Sequence, residues 1–320
     1  MKKIALIVPW FGPFRNDFYF WLKSVEYNPT VDFLFFTDQE IIAPPINLKV
    51  VKTNLKEIED LARKNIWEGC VISKPYKICD YKVTYGELFS EYLKEYDFWG
   101  HCDVDLVFGD IRKFITDDIL DRYDRLGVDG PLTIYRNTPE VNTVYRKAGD
   151  INQIFTEQHP FGFDEWGLKN NGTAPYWQTN LSDRLWCEKV FDNLAPYHYS
   201  FISGTVKKYN LGIKNLMFSF YKGHLYRYGT KEGKVDHHET LYVHIQKRPI
   251  EVKTDVSDCF SIIPPGNYVP FVENVTISYL KWHIRDSKFW AYYVRAMNKI
   301  NGIIGLKPHS NMVLCPDEDM

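Results

Sequence analysis

The chain has 320 residues, 45% hydrophobic and 25% charged, with a formal net charge of -2. That is enough for one large or two modest domains around a buried core, and the balance lacks the basic excess by which nucleic-acid binders track phosphates. No stretch reaches the roughly 18–20 apolar residues of a membrane span, and six scattered cysteines without a Cys-x-x-Cys pair support neither a thiolate metal site nor a disulfide ladder. The opening run to Pro9 is too short for a signal peptide and no small-residue cleavage site follows, so the chain reads as cytoplasmic. The sequons at Asn171, Asn180 and Asn274 then carry little meaning.

Ile4 to Val8 is a continuous apolar run, as in a strand buried on both faces. A helix is expected from about Asn16 to Val25, a second strand over Asp32 to Asp38, and a third over Leu48 to Val51. This alternation predicts an α/β chain: a Rossmann-like, mostly parallel sheet flanked by helices, binding ligands at the strands' carboxyl ends. From about Lys77 to Lys94 the spacing predicts one helix. Ile78, Tyr81, Tyr85, Leu88, Phe89 and Tyr92 form its apolar stripe, with Lys77, Asp80, Thr84, Glu87 and Glu91 facing away and Lys82 beside the stripe. Gly86 inside it costs roughly 1 kcal/mol against alanine, which a close approach would explain. Phe98 to Cys102 reads as a strand running into Asp103, with further strands over Leu132 to Tyr135 and Leu241 to Ile245. Residues from about 150 to 235 have weak periodicity and read as loops and short elements. The 16% aromatic content suits the stacking of flat ligands and a thick core equally.

Asp103-Val104-Asp105 carries the clearest chemistry. Two carboxylates one residue apart at a strand end form a hard-oxygen site for a divalent cation that can bridge phosphate oxygens; two acids leaving a strand for a turn are the plain alternative. Asp103-Val104-Asp105-Leu106-Val107 also fits the nucleophile motif of haloacid-dehalogenase-like phosphatases. Those carry it on their first strand and need a later acidic pair, and Gly149-Asp150 lacks a suitable partner.

Tyr96-Asp97-Phe98-Trp99-Gly100-His101-Cys102-Asp103-Val104-Asp105, followed by Gly109-Asp110-Ile111, resembles the Asp-x-Asp segment of glycogenin-like and bacterial lipooligosaccharide galactosyltransferases. The resemblance implies a GT-A glycosyltransferase that uses Mn2+ or Mg2+, with a UDP-sugar as default donor, UDP-galactose first, and retention of configuration. That family also supplies a late histidine in a pattern like His-Phe-x-Gly-x-x-Lys-Pro. Here Val243-His244-Ile245-Gln246-Lys247-Arg248-Pro249 is shorter and lacks the glycine. It implies His244 as a metal ligand beside Asp103 and Asp105, and Lys247 as a diphosphate contact. Over residues 1 to about 250 the chain also resembles an uncharacterised group of bacterial capsule and surface-polysaccharide proteins, through Lys77-Ile78-Cys79-Asp80-Tyr81-Lys82, the aspartates and the His244 segment. That implies transfer of a hexose to a growing surface polysaccharide or lipid-linked oligosaccharide. Residues 1–255 are expected to form the catalytic domain, with acceptor-side elements at about 150–235, and 256–320 a helical extension.

In a GT-A enzyme the nucleotide lies where Pro9-Trp10-Phe11-Gly12 follows the first strand. Trp10 or Phe11 is then the candidate to stack on the base, and Thr37-Asp38 to bond base or ribose; both segments read equally as ordinary turns. Lys82 is a candidate contact to donor phosphate or sugar, or a snorkelling surface lysine. Asp164 and Glu165 lie roughly where the family has its acidic Asp-Gln-Asp segment. A carboxylate there would deprotonate the acceptor in an inverting enzyme, or shield an oxocarbenium-like centre in a retaining one; a capped, solvated turn is the alternative. A helix from about 276 to 300 would place Lys281, Arg285, Lys288, Arg295 and Lys299 on one stripe, for an anionic membrane surface or for water. A fold that only binds a glycan or partner would have no need of the cation ligands.

Overall fold

The computed structural model describes residues 1–284 except Asp129, Lys189, Tyr197 and Asn210. The first strands are β1 Ile4–Trp10, β2 Val31–Thr37, β3 Leu48–Lys52, β4 Phe98–Cys102, β5 Leu106–Phe108, β6 Arg125–Leu126, β7 Leu132–Arg136 and β8 Leu185–Trp186. After them come β9 Asp192–Asn193, β10 Lys214–Tyr221, β11 His224–Lys231, β12 Lys234–Glu239, β13 Tyr242–His244, β14 Glu251–Val252, β15 Cys259–Ile263 and β16 Asn267–Pro270. The chain divides into two units. The first is Met1–Phe14, Asn28–Val104 and Ile115–Glu188; the second is Arg15–Tyr27, Asp105–Phe114 and, among the described residues, 190–284.

The first unit holds a seven-stranded sheet in the order β3-β2-β1-β4-β7-β6-β8. β3, β2, β1 and β4 run parallel. β7 opposes both β4 and β6, and β6 runs with β8. The expectation of a mostly parallel sheet is corrected to a mixed one: only a short loop joins β6 to β7, and a short loop returns a strand antiparallel. β1 is buried from Ile4 to Val8, as its unbroken apolar run requires. Its core includes Trp99 stacked on Tyr135 at 4.5 Å between ring centroids.

The expected helix at 77–94 is also corrected. Pro75–Thr84 is a 3-10 helix, Tyr85–Leu88 a single α-turn and Ser90–Tyr92 a second 3-10 turn. A 3-10 helix has three residues per turn, so positions i and i+3 eclipse. Lys77 and Asp80 therefore share one direction, and both are buried rather than facing away. Gly86 is a close approach, as expected. A Cβ there would stand 2.6 Å from Asn142 Oδ1 and from Trp99 Nε1, which are hydrogen-bonded to each other.

The second unit contains helix α1, Phe18–Glu26, a three-stranded sheet β5-β13-β9 and a six-stranded sheet β12-β11-β10-β15-β16-β14. β10, β11 and β12 form an antiparallel meander inside the region expected to be loops. Each hairpin turns on two residues with positive φ, Lys222-Gly223 and Glu232-Gly233, the geometry that matches the twist of the flanking strands. Phe20 of α1 packs on Phe260 and Tyr268 in a core with Val107, Phe218 and Val243.

The region after 255 is not purely helical: β15 and β16 belong to the six-stranded sheet before the helix Ile277–His283 begins. That helix buries Leu280, with Ile284 after it, against Met217. Lys281 is described, whereas Arg285, Lys288, Arg295 and Lys299 lie outside the described residues. Among the described residues no helix is long and apolar enough to cross a membrane.

Candidate metal site

β4 ends at Cys102, and Asp103 N donates to Pro131 O at 2.9 Å, fixing the turn. Two residues on, Asp105 leads into β5, which pairs antiparallel with β13 so that Leu106 faces His244. Ile245 N donates to Asp105 O at 2.9 Å. This pairing sets the Asp105 and His244 side chains together, with His244 Nε2 3.1 Å from Asp105 Oδ1. Asp103 precedes Asp105 by two residues in the chain.

The tautomer of His244 follows from its neighbours. β9 runs beside β13 with Asn193 opposite His244. Asn193 Oδ1 accepts from Gln246 Nε2 at 2.9 Å and contacts His244 Nδ1 at 2.9 Å. With that oxygen as acceptor, Nδ1 carries the proton and Nε2 is left as the ligating nitrogen. Asp105 Oδ1 is buried and has no aligned hydrogen-bond donor, although Nε2 is close. An imidazole nitrogen and a carboxylate oxygen that converge without an aligned hydrogen bond fit a shared cation. A carboxylate and an imidazole placed in this way could hold a metal ion. Burial alone would raise the Asp105 carboxyl, but His244 whenever its imidazole is charged, together with the Arg15 guanidinium at 3.2 Å from Oδ2, holds it well below the usual carboxylate range.

In the first unit Lys82 Nζ reaches Asp103 Oδ1 at 2.8 Å and Asp164 Oδ2 at 3.3 Å. Burial opposes its charge, yet the two carboxylates raise its pKa well above the ordinary lysine value. Burial raises the Asp164 carboxyl; Lys82 pulls it down, while Glu165 and Asp103 push it further up. Glu165, half-buried, accepts from Gly130 N at 3.1 Å. The Lys77–Asp80 pair explains how Asp164 is held. Asp80 accepts from Phe161 N and Phe163 N at 2.9–3.0 Å, directly before Asp164. Lys77 Nζ donates to Asp80 at 2.8 Å, to Ile154 O at 2.6 Å and to His159 O at 2.8 Å.

The two loops expected to receive a nucleotide meet at the carboxyl ends of β1 and β2. Trp10 pairs in register with Thr37, and Gly12 N donates to Asp38 Oδ1 at 3.1 Å. Pro9 and Trp10 are half-buried and Asp38 is exposed, but Phe11 and Thr37 are buried. Phe11 packs into the core of this unit, which leaves Trp10 as the ring available for stacking. Lys247 is half-buried with φ of 44°, the left-handed conformation that usually selects glycine. Arg248 behind it bonds Ala195 O at 2.7 Å and Pro265 O at 3.1 Å, and burial pushes it down to about 10.

Sequence reading missed Arg15, Asn193, Gln246 and the buried roles of Lys77 and Asp80. An Arg-x-Asp before a helix hints at a guanidinium paired with an acid; nothing local marks Asn193. No curated protein matches the chain. A family model described as a family of unknown function, DUF6625, matches residues 6–270. The match spans most of the chain and includes every site residue above, so the chain belongs to the DUF6625 family.

Proposed function

We propose that this protein is a metal-dependent glycosyltransferase of the GT-A type, transferring a hexose from a nucleotide diphosphate sugar. UDP-galactose is the first donor to test, with a growing surface polysaccharide or lipid-linked oligosaccharide as acceptor and retention of configuration. The observation that carries the reading is the convergence of Asp105 Oδ1 and His244 Nε2 without an aligned donor, at the second aspartate of the Asp103-Val104-Asp105 motif.

A cation held there would supply neutralising charge for the leaving diphosphate. The chain's own groups have complementary tasks. Asn193 fixes the His244 tautomer. Lys82 offers an ammonium to donor phosphate or hydroxyl, and Asp164 and Glu165 offer carboxylates toward positive charge on the sugar. Trp10 supplies a ring face and Asp38 an acceptor for the nucleoside, with Lys247 as a further diphosphate contact. On this reading the enzyme works at the cytoplasmic face of a membrane, through the basic segment after Leu280.

Calorimetry with UDP-, GDP- and ADP-sugars, with and without Mn2+, tests the proposal. At least one sugar nucleotide should bind far more tightly with the metal. Equal binding without it, or phosphatase turnover on simple esters with no affinity for sugar nucleotides, would overturn the reading.

A further inference from the structure

We infer that Arg15 couples binding of the divalent cation to binding of an anionic diphosphate, which rests on the metal reading proposed above. Each aspartate already has a counter-charge of the chain's own, Lys82 on Asp103 at 2.8 Å and Arg15 on Asp105 at 3.2 Å. The two differ in their freedom to leave. Lys82 has a second carboxylate, Asp164, at 3.3 Å and can pass to it when a cation takes Asp103.

Arg15 has no such exit. Its Nε and Nη2 each bond an oxygen of Asp17 at 3.0 Å. Asp17 is 2% exposed and accepts a further bond from Tyr268 Oη at 3.2 Å. Moving Arg15 away would strand a buried carboxylate, which is strongly unfavourable. The guanidinium therefore stays on Asp105 when the cation arrives, and two positive centres share one carboxylate.

The cation alone is then held weakly. An anion contacting both centres removes the repulsion, and a guanidinium fork matches phosphate oxygens. The Arg15 side chain is 23% exposed and its Nη1 makes one hydrogen bond among the described residues, so a second hydrogen is left for a ligand. By linkage, diphosphate tightens the cation and the cation tightens diphosphate by the same factor.

The test uses Mn2+ and UDP as probes, with binding read by calorimetry and by the Mn2+ electron spin resonance signal. Arg15→Gln should bind Mn2+ alone about tenfold more tightly than the wild type, the Coulomb scale for a monovalent charge near a divalent one at a surface. It should also lose about tenfold of the enhancement that UDP gives. The double change Arg15→Gln/Asp17→Asn removes both charges, leaves no unpaired buried carboxylate, and is read in the same way if the single variant does not fold. A folded variant with unchanged or weaker Mn2+ affinity, while the wild type shows the UDP enhancement, overturns the role of Arg15 alone. A wild type that binds no Mn2+ with or without UDP overturns the metal reading and this inference together.

Discussion

The buried carboxylate of Asp80 accepts the backbone N–H of Phe163, one residue before Asp164. A side chain of the 3-10 segment thus fixes the loop bearing the candidate acid, while Lys82 on the same segment contacts that acid directly. Asp80→Ala should therefore lose about 3–5 kcal/mol of stability, the range for breaking a buried pair from one side. The double variant Lys77→Met/Asp80→Ala should cost less than the two single changes summed, because no charge is left unpaired. Urea unfolding of the four proteins checks this; simple additivity would show that the two residues do not act as a pair.

Asp103→Ala and Asp105→Ala should each abolish metal-dependent binding of sugar nucleotide, but their effects on folding should differ. Loss of Asp103 leaves Lys82 with Asp164, whereas loss of Asp105 leaves Arg15 Nη1 without its carboxylate. Asp105→Ala should be the less stable variant by about 1–2 kcal/mol, the order of one lost charged hydrogen bond. Thermal melts in chelator give the comparison, and Mn2+ titration followed by calorimetry gives the binding loss.

Asn193→Ala should weaken Mn2+ affinity by about 10–100-fold, as for partners that orient a metal-bound histidine. His244→Ala should weaken it at least as much. The two effects should not add, because Asn193 acts only through the His244 ring. Mn2+ titration of both single variants and the double variant decides it, and full additivity would give Asn193 a separate role.

The fully buried His101 has neither ring nitrogen hydrogen-bonded among the described residues. Burial, with the nearby charges of Lys82 and Arg125, holds its pKa well below the ordinary histidine value. The unfolded chain takes a proton there near pH 6.5 that the folded chain refuses, so the contribution of His101 is present above that pH and lost as pH falls. The slope from one such group is up to about 1.4 kcal/mol per pH unit. His101→Met should flatten the stability profile between pH 6.5 and 5 by that order. Chemical denaturation at several pH values measures it; parallel profiles would mean the folded state also admits the proton.

The sequence by itself determined the parallel strands of the first unit and the strand that delivers Asp103. Their signals are local: unbroken apolar runs need burial on both faces, and polar residues gather where such strands end. It also marked Gly86 as a close approach. The β10–β12 meander was written in its Lys222-Gly223 and Glu232-Gly233 turns, although β11 concealed it by burying Arg227, Gly229 and Thr230 in place of apolar side chains. What only the tertiary structure decided was the company each charge keeps. Lys77 and Asp80 turned inward because a 3-10 segment rotates each residue further than an α-helix does. Asn193 joined Asp105 and His244 because β13 pairs with both β5 and β9, and Arg15 reached Asp105 from just ahead of α1, contacts that span more than 50 residues and leave no periodic trace in the sequence. Hydrophobic pattern is repeated along the chain, whereas a polar site is assembled once, from single residues brought together by strand register.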